Sequence, residues 1–260
     1  MKIKWIVGGL LWASSYLQAA AQEYKLWYDE PAQVWTEALP LGNGRLGAMV
    51  FGNPGVEHIQ LNEETIWAGR PNNNANPDAL EYIPKVRQLV FEGKYLEAQT
   101  LATEKVMAKT NSGMPYQSFG DLHISFPGHT RYSDYYRELS LDSARTIVRY
   151  KVDGVTYQRE TLTSFADQVV MVRLTASQPG KITCNANLTT PHQDVMVATE
   201  GEEVTLSGVS SWHEGLKGKV EFQGRMTART QGGTRSCRDG VLSIEGADEA
   251  VIYISIATNL

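Results

Sequence analysis

The sequence predicts a mainly β protein, a large two-sheet β-sandwich with one inserted helical hairpin. Three observations lead to this fold class. From about Phe119 onward, apolar residues alternate with polar ones at a period of two, which is the pattern of half-buried strands. Many short strand-like runs are separated by turn residues, which is typical of sandwiches and barrels. Helical periodicity is convincing only between about residues 78 and 109.

Residues 1–21 are expected to be a secretory signal peptide rather than part of the fold. Two lysines precede an apolar run from Trp5 to Trp12, and Ala19 to Ala21 offers a small-residue cleavage site. A membrane anchor is the weaker interpretation, because spanning a bilayer takes ~20 apolar residues. Cleavage near Ala21 would leave residues 22–260 as an exported β-sandwich domain, periplasmic or extracellular.

The stretch from Leu39 to Pro71 contains two Gly-rich turns, two short apolar runs and a polar cluster around one Trp. Polar side chains beside a Trp, directly after a strand-like run, fit a sugar-contacting or domain-docking edge. They fit equally well a surface hairpin whose Trp caps the core. The candidate site residues are Asn62, Glu63, Thr65, Trp67 and Arg70.

Gly42 to Gly47 matches the G-x-G-x-x-G pattern of dinucleotide-binding loops, but its context does not. That fingerprint needs a preceding strand and a helix that opens within it. Here Ala48 to Phe51 is a short apolar run closed by a turn, so a strand is predicted instead. No cofactor is expected.

A helical hairpin is predicted from about residue 78 to residue 109. Apolar residues recur at helical spacing up to Phe91, Gly93 stops the first helix, and a second runs from about Lys94 to Lys109. Pro84 could instead mark the first turn, which would shorten the first helix. Acidic residues balance the lysines, so we expect a structural role rather than nucleic-acid or partner binding.

Strand-like runs dominate the remainder of the chain. Asp153-Gly154 is a strong hairpin signal between two of them. About a dozen strands favour a large two-sheet sandwich, or supersandwich, over a barrel. The predicted strands are Glu23–Tyr28, Ala48–Phe51, Leu122–Phe126, Tyr135–Leu141, Ala144–Val152, Val155–Thr163, Val169–Thr175, Lys181–Leu188, Asp194–Thr199, Val204–Ser207, Lys219–Arg229, Val241–Ile244 and Ala250–Ile256.

The composition is that of an ordinary globular chain, with 42% hydrophobic and 20% charged residues. The net charge is −5 and basic residues are scattered, so neither a nucleic-acid nor a membrane partner is expected. The two cysteines, Cys184 and Cys237, could form a disulfide in an exported protein. They could equally be small buried hydrophobic residues.

No catalytic or metal-binding constellation can be read from the sequence. The five histidines are scattered, and His123 and His129 lie in a β region at a spacing that no helical zinc motif uses. Hydrolysis of a glycoside normally needs two carboxyl groups. Glu63 and Glu64 are adjacent, so in a strand they would point to opposite faces. We therefore expect no catalytic residue and no metal site in this chain.

Three segments carry a family resemblance: LPLGNGRLGAMVFG, IQLNEETIWAGRP and YQRETLTSFADQVVMVRLTA. In this order they resemble the N-terminal β-sandwich region of glycoside hydrolase family 95, the α-L-fucosidases and related α-L-galactosidases. The resemblance runs from about Leu26 to Leu260 and implies that the chemistry takes place in an (α/α)6 barrel C-terminal to the sandwich. The resemblance also implies that a Glu of this barrel acts as general acid and that Asn or Asp residues activate water, with inversion. No long helical pattern follows the hairpin, so this barrel is expected to be absent from the chain.

Two functions are compatible with these observations. The first is the N-terminal domain of an exported enzyme that hydrolyses α-L-fucosyl or α-L-galactosyl linkages in oligosaccharides, packed on the catalytic barrel. The candidate residues would then line the domain interface or the rim of the substrate pocket. The second is a free-standing carbohydrate-binding or interaction module without catalysis. An exposed apolar patch near Trp67 and the hairpin would favour the first, and a shallow aromatic platform the second.

A related scaffold also precedes the helical barrel of disaccharide phosphorylases in glycoside hydrolase family 65. The segment LNEETIWAGRP favours the fucosidase side, although the fold alone would not separate the two families.

Overall fold

The computed structural model describes residues 24–108 and 113–260. The expected signal peptide, residues 1–21, lies outside the described residues, as does Lys109 at the end of the predicted second helix. Among the described helices, neither has the length and apolar character that crossing a membrane would require.

The predicted mainly β fold is confirmed. In the described residues, sixteen strands form two wholly antiparallel sheets that enclose one apolar core. The nine-stranded sheet has the order β1-β6-β7-β8-β9-β16-β13-β12-β11, and the seven-stranded sheet has the order β14-β15-β10-β5-β4-β3-β2. The strands are β1 (Lys25–Tyr28), β2 (Leu39–Gly42), β3 (Leu46–Val50), β4 (Val56–Glu63), β5 (Gly120–Ser125), β6 (Ser133–Ser140), β7 (Arg145–Val152), β8 (Val155–Ser164), β9 (Val169–Ala176), β10 (Ile182–Thr189), β11 (Val195–Glu200), β12 (Glu203–Val209), β13 (Glu221–Gln231), β14 (Thr234–Arg238), β15 (Val241–Ala247) and β16 (Glu249–Thr258).

The core follows from the alternation along each strand. In β5, Leu122 and Ile124 are fully buried, whereas Asp121 and His123 on the other face are partly exposed. In β16, Ile252 and its alternate neighbours are buried in the same way. One face of each of these strands therefore points into the space between the sheets, and the other points outward.

Three strands, β2, β4 and β14, have no counterpart among the predicted strands, and two of them, β2 and β14, are the edge strands of the seven-stranded sheet. Strand β14 has no buried residue, so its sequence carries no apolar alternation. In β2, Pro40 is exposed, which suits an edge because proline cannot donate a backbone hydrogen bond to a neighbouring strand. Strand β14 was therefore missed because it lacks apolar alternation, whereas β2 buries Leu39 and Leu41 but is too short, at four residues, for the alternation to be recognised.

The turn from β2 to β3 contains the G-x-G-x-x-G sequence. The Asn43 Oδ1 atom accepts hydrogen bonds from the backbone N–H groups of Arg45 and Leu46, at 3.0 and 2.7 Å. Gly44 has a φ of +95°, which glycine adopts without strain. A strand follows rather than a helix, as the sequence predicted, so these glycines form a β-hairpin turn.

The inserted helical hairpin is confirmed as α1 (Ala79–Phe91) and α2 (Tyr95–Lys105). The alternative in which Pro84 begins the first helix is wrong, because Pro84 lies inside α1. Gly93 ends α1 in a Schellman motif: its N–H donates to the Val90 carbonyl, and the Lys94 N–H donates to the Leu89 carbonyl.

Cys184 and Cys237 are both free thiols, so the disulfide alternative is wrong for this structure. Cys184 is buried in β10, and Cys237 lies in β14 at the sheet edge and packs against the core. Burial raises the pKa of Cys184 to about 12. Cys184 therefore behaves as a small buried apolar residue.

Candidate functional site

The structure separates the five candidate residues into three places. Glu63 and Thr65 are hydrogen-bonded to each other inside the protein at the end of β4. Trp67 and Arg70 line a surface groove. Asn62 is partly exposed between buried neighbours, opposite Gly47, on the outer face of the seven-stranded sheet. Only Trp67 and Arg70 are therefore brought together at one accessible surface.

The carboxylate of Glu63 is used inside the protein. It is 2% exposed, and its Oε2 atom accepts hydrogen bonds from the Thr65 N–H and hydroxyl at 2.8 and 2.6 Å. The Thr65 hydroxyl lies 2.5 Å from that of Thr258 at the end of β16. The Arg45 Nη1 atom is 3.5 Å from Glu63 Oε1 and donates to the Ile256 carbonyl. These contacts tie the end of one sheet to the other.

The groove of about 770 Å³ lies beside Trp67. Trp67 is 45% exposed, and its ring packs edge-on against Tyr116, with 5.5 Å between ring centroids. Its Nε1 atom donates to the Glu64 carbonyl at 3.1 Å, which fixes the ring orientation. The groove is lined by Trp67, Ala68, Gly69, Arg70, Pro71, Asn72, Asn74, Gly113, Met114, Glu214, Lys219, Val220, Asn259 and Leu260.

The backbone beneath Trp67 is held by neighbouring segments. The Ala68 N–H donates to the Pro115 carbonyl, and the Gly69 N–H donates to the Ser211 carbonyl, both at 2.9 Å. Gly69 has a φ of +65°, and a Cβ atom there would lie 2.5 Å from Met114 Sδ. A side chain at position 69 would therefore displace Met114 from the groove wall.

The groove offers binding groups but not the acid and base of a glycosidase. Glu214 is the one side-chain carboxylate among the described lining residues, beside the cations Arg70 and Lys219. Residues 109–112, which precede Gly113, are Lys-Thr-Asn-Ser in the sequence and add no carboxyl. Two carboxyl groups are normally needed for glycoside hydrolysis, so this groove suits a contact surface.

The sequence did not reveal a second polar cluster, because its members come together only through the pairing of β4 with β5. His58 of β4 lies directly opposite His123 of β5, and Asp121 is two residues away on the same face. Their ligand atoms all lie within 4.8 Å of one another, so these three side chains could hold a metal ion. Alternation places each residue on an outward face, but the register that joins them is not visible in the sequence.

A third cluster is buried between the sheets. The Arg159 Nη2 atom lies 3.4 Å from Glu57 Oε2, and both side chains are 2% exposed. The guanidinium also lies over the rings of Phe126 and Tyr150. Burial raises the pKa of Glu57, and the Arg159 charge opposes that shift. A substrate cannot reach these groups from solvent, so we assign them to the core.

Fold and site together define an antiparallel β-sandwich domain that carries an exposed groove and an inserted helical hairpin. The chain belongs to the family described as "Glycosyl hydrolase family 65, N-terminal domain", whose model matches residues 26–260. The predicted class, an N-terminal β-sandwich domain of a glycoside hydrolase, is thereby confirmed.

Curated relatives include fucosidases from a plant and from fungi. The chain is 32% identical to "Alpha-L-fucosidase 2" of Arabidopsis thaliana, over 93% of this chain and 31% of that protein. It is 27% identical to "Probable alpha-fucosidase A" of Aspergillus niger, over 90% of this chain and 30% of the relative. The corresponding Aspergillus oryzae protein is 28% identical over 62% of this chain and 23% of its own length. The chain thus spans less than a third of these relatives.

Among solved structures, a "Putative kojibiose phosphorylase from human microbiome" superimposes with a TM-score of 0.47 at 10% identity. The superposition covers 91% of this chain and 32% of that one.

Proposed function

We propose that this chain is the N-terminal domain of an exported α-L-fucosidase-like enzyme and that its helical hairpin packs on a C-terminal catalytic (α/α)6 barrel. The complete enzyme would hydrolyse α-L-fucosyl or α-L-galactosyl linkages in oligosaccharides, with inversion. The names of the relatives support the substrate class. Their length supports a further domain, because each has more than three times the matched length.

The observation that carries this proposal is the exposure of the hairpin. Leu80, Phe91 and Leu96 are each 78–83% exposed. Among the described helix residues, Ala98 alone is buried, so neither helix buries a large apolar side chain. A helix of a soluble domain normally buries its apolar side. Exposed large apolar side chains on both helices therefore support a docking surface for another domain.

The groove is connected to the base of the hairpin. Asn74 lines the groove, and Asn76 follows two residues later. The Asn76 Nδ2 atom donates to the carbonyls of Lys105 and Met107, at 3.0 and 3.1 Å, so it ties together the two ends of the hairpin. A barrel that packs on the hairpin would also cover this edge, with Trp67 and Arg70 at the rim of its substrate pocket.

The test is a pair of variants in the protein expressed from its complete reading frame. Leu96→Asp places a charge on the hairpin surface, where the first turn of α2 tolerates an acidic residue. Leu141→Asp is the matched control, because Leu141 is also exposed but lies in the β6–β7 connection. We expect Leu96→Asp to reduce fucose release from a fucosylated oligosaccharide at least tenfold and Leu141→Asp to leave it unchanged. Equal activity of the two variants would contradict hairpin docking.

A free-standing carbohydrate-binding module is the second candidate, favoured by the half-exposed ring of Trp67 in the groove. Titration of the 260-residue chain with a fucosylated oligosaccharide tests it. Binding that Trp67→Ala abolishes, together with no fucose release by the protein from the complete reading frame, would favour the module. Fucose release that depends on the hairpin would reject it.

A further inference from the structure

Three side chains with metal-binding atoms converge on the outer face of the seven-stranded sheet. His58 projects from β4, and Asp121 and His123 project from β5. The His58 Nε2 atom lies 2.7 Å from Asp121 Oδ1. The ligand atoms of all three residues lie within 4.8 Å of one another.

Two paired strands and a ring stack hold this cluster in place. His58 and His123 are direct partners in the antiparallel pairing of β4 with β5, so their backbone positions are fixed by strand hydrogen bonds. The His58 ring stacks on His123 at 5.0 Å and on Phe51 at 4.3 Å. The side chains of His58 and Asp121 are 32% and 25% exposed, so an ion from solvent can reach them.

We propose that His58, Asp121 and His123 form a binding site for a divalent transition-metal ion of the zinc class. Two imidazoles and one carboxylate are a donor set that Zn²⁺ uses with a fourth, open position for water or a substrate oxygen. Zinc–nitrogen distances of about 2.0–2.1 Å place two donors of a tetrahedral site roughly 3.4 Å apart. Side-chain rotations would bring the three donors to this spacing by opening the 2.7 Å contact between His58 and Asp121 and shortening the longer separations, which reach at most 4.8 Å.

The donor types also select the class of ion. Imidazole nitrogen suits zinc, copper and nickel, whereas calcium and magnesium prefer sites made of oxygen ligands. A bound ion would link β4 to β5, the two strands that precede and follow the segment containing the helical hairpin. The site would therefore anchor the sheet at both ends of that insertion, a role that does not depend on the proposed enzymatic function.

Isothermal titration of the metal-stripped 260-residue chain, purified without a polyhistidine tag, tests the proposal. We expect one Zn²⁺ per chain, with Mg²⁺ and Ca²⁺ giving no binding at the same concentrations. His123→Asn and Asp121→Asn should each weaken zinc binding at least tenfold. His213→Asn is the matched control, because His213 lies in the turn before β13 and outside the cluster, and it should bind zinc as the parent does.

The absorption spectrum of bound Co²⁺ is a second measurement, and together with circular dichroism it distinguishes loss of the site from loss of folding. The parent chain should give the ligand-field absorption of a low-coordinate nitrogen and oxygen site, and His123→Asn should lose it while keeping the parent's circular dichroism. Absence of zinc binding by the parent would overturn the proposal and leave the cluster as a hydrogen-bonded ring stack. Zinc binding that His123→Asn and Asp121→Asn leave unchanged would overturn it as well.

Discussion

Glu63 and Glu64 are neighbours in sequence with opposite environments. The alternation along β4 buries Glu63 against Thr65 and exposes Glu64. A carboxylate in a cluster around Trp is an obvious candidate for chemistry, yet here both Thr65 donors bind it inside the fold. Its role at the residue scale is therefore to hold the loop that carries Trp67.

Replacing Glu63 tests this structural role. Glu63→Ala should lower the free energy of unfolding by about 2–4 kcal/mol, because two hydrogen bonds to a charged group are lost and buried donors remain. Glu64→Ala, at the exposed neighbour, should change it by less than about 0.5 kcal/mol. Urea unfolding measures both values, and equal losses of stability would contradict the structural role of Glu63.

His129 should make stability depend on pH. It is buried, its Nδ1 atom lies 2.9 Å from the Tyr150 hydroxyl, and burial, with a smaller contribution from Arg159, lowers its pKa below 6.5. The unfolded chain therefore takes up a proton first as the pH falls. The stabilising contribution is present above pH 6.5 and is lost as the pH falls through the folded-state pKa.

The variant His129→Gln removes this titration and keeps a hydrogen-bonding side chain. Urea unfolding between pH 7.5 and pH 5 should show the parent losing stability faster than the variant. The difference in slope should not exceed about 1.4 kcal/mol per pH unit, the value for one proton. Parallel curves would mean that His129 does not titrate differently in the two states.

At the scale of elements, alternation and turn residues predicted most of the sheet structure. The Asp153-Gly154 turn joins β7 to β8 as predicted, because both residues adopt the positive φ that a tight hairpin needs. Alternation failed for β14, which buries no residue, and for β2, which buries Leu39 and Leu41 but is only four residues long. Alternation also does not determine the register between paired strands, so the cluster of His58 and His123 could not be predicted.

Gly120, at the start of β5, lies where the backbones of β5 and β10 approach closely. It has a φ of +151°, and a Cβ atom there would overlap the backbone carbonyl oxygen of Thr189 in β10. Gly120→Ala should lower the free energy of unfolding by roughly 2–4 kcal/mol. Gly154→Ala, where a Cβ atom would meet open space, should cost only about 1–2 kcal/mol for its backbone conformation.

At the scale of the whole molecule, the sandwich and the hairpin differ in how they are stabilised. The sheets bury a continuous core, whereas α1 and α2 bury no large apolar side chain and expose several, including Leu80, Phe91 and Leu96. Periodicity predicted the helices but not the surface they would face, since an apolar stripe fits an internal core and a docking surface equally well. The groove was only partly predicted, because Met114, Lys219 and Asn259 reach it from distant segments.

We propose that this domain supports catalysis by a further domain without itself carrying the catalytic residues. Sugar release by the purified 260-residue chain tests it most directly, with a fucosylated oligosaccharide and an aryl α-L-galactoside as substrates and circular dichroism to verify folding. We expect no release above buffer from the folded chain. Release that Glu63→Gln abolishes in a folded variant would make the sandwich itself catalytic and would overturn the proposed function.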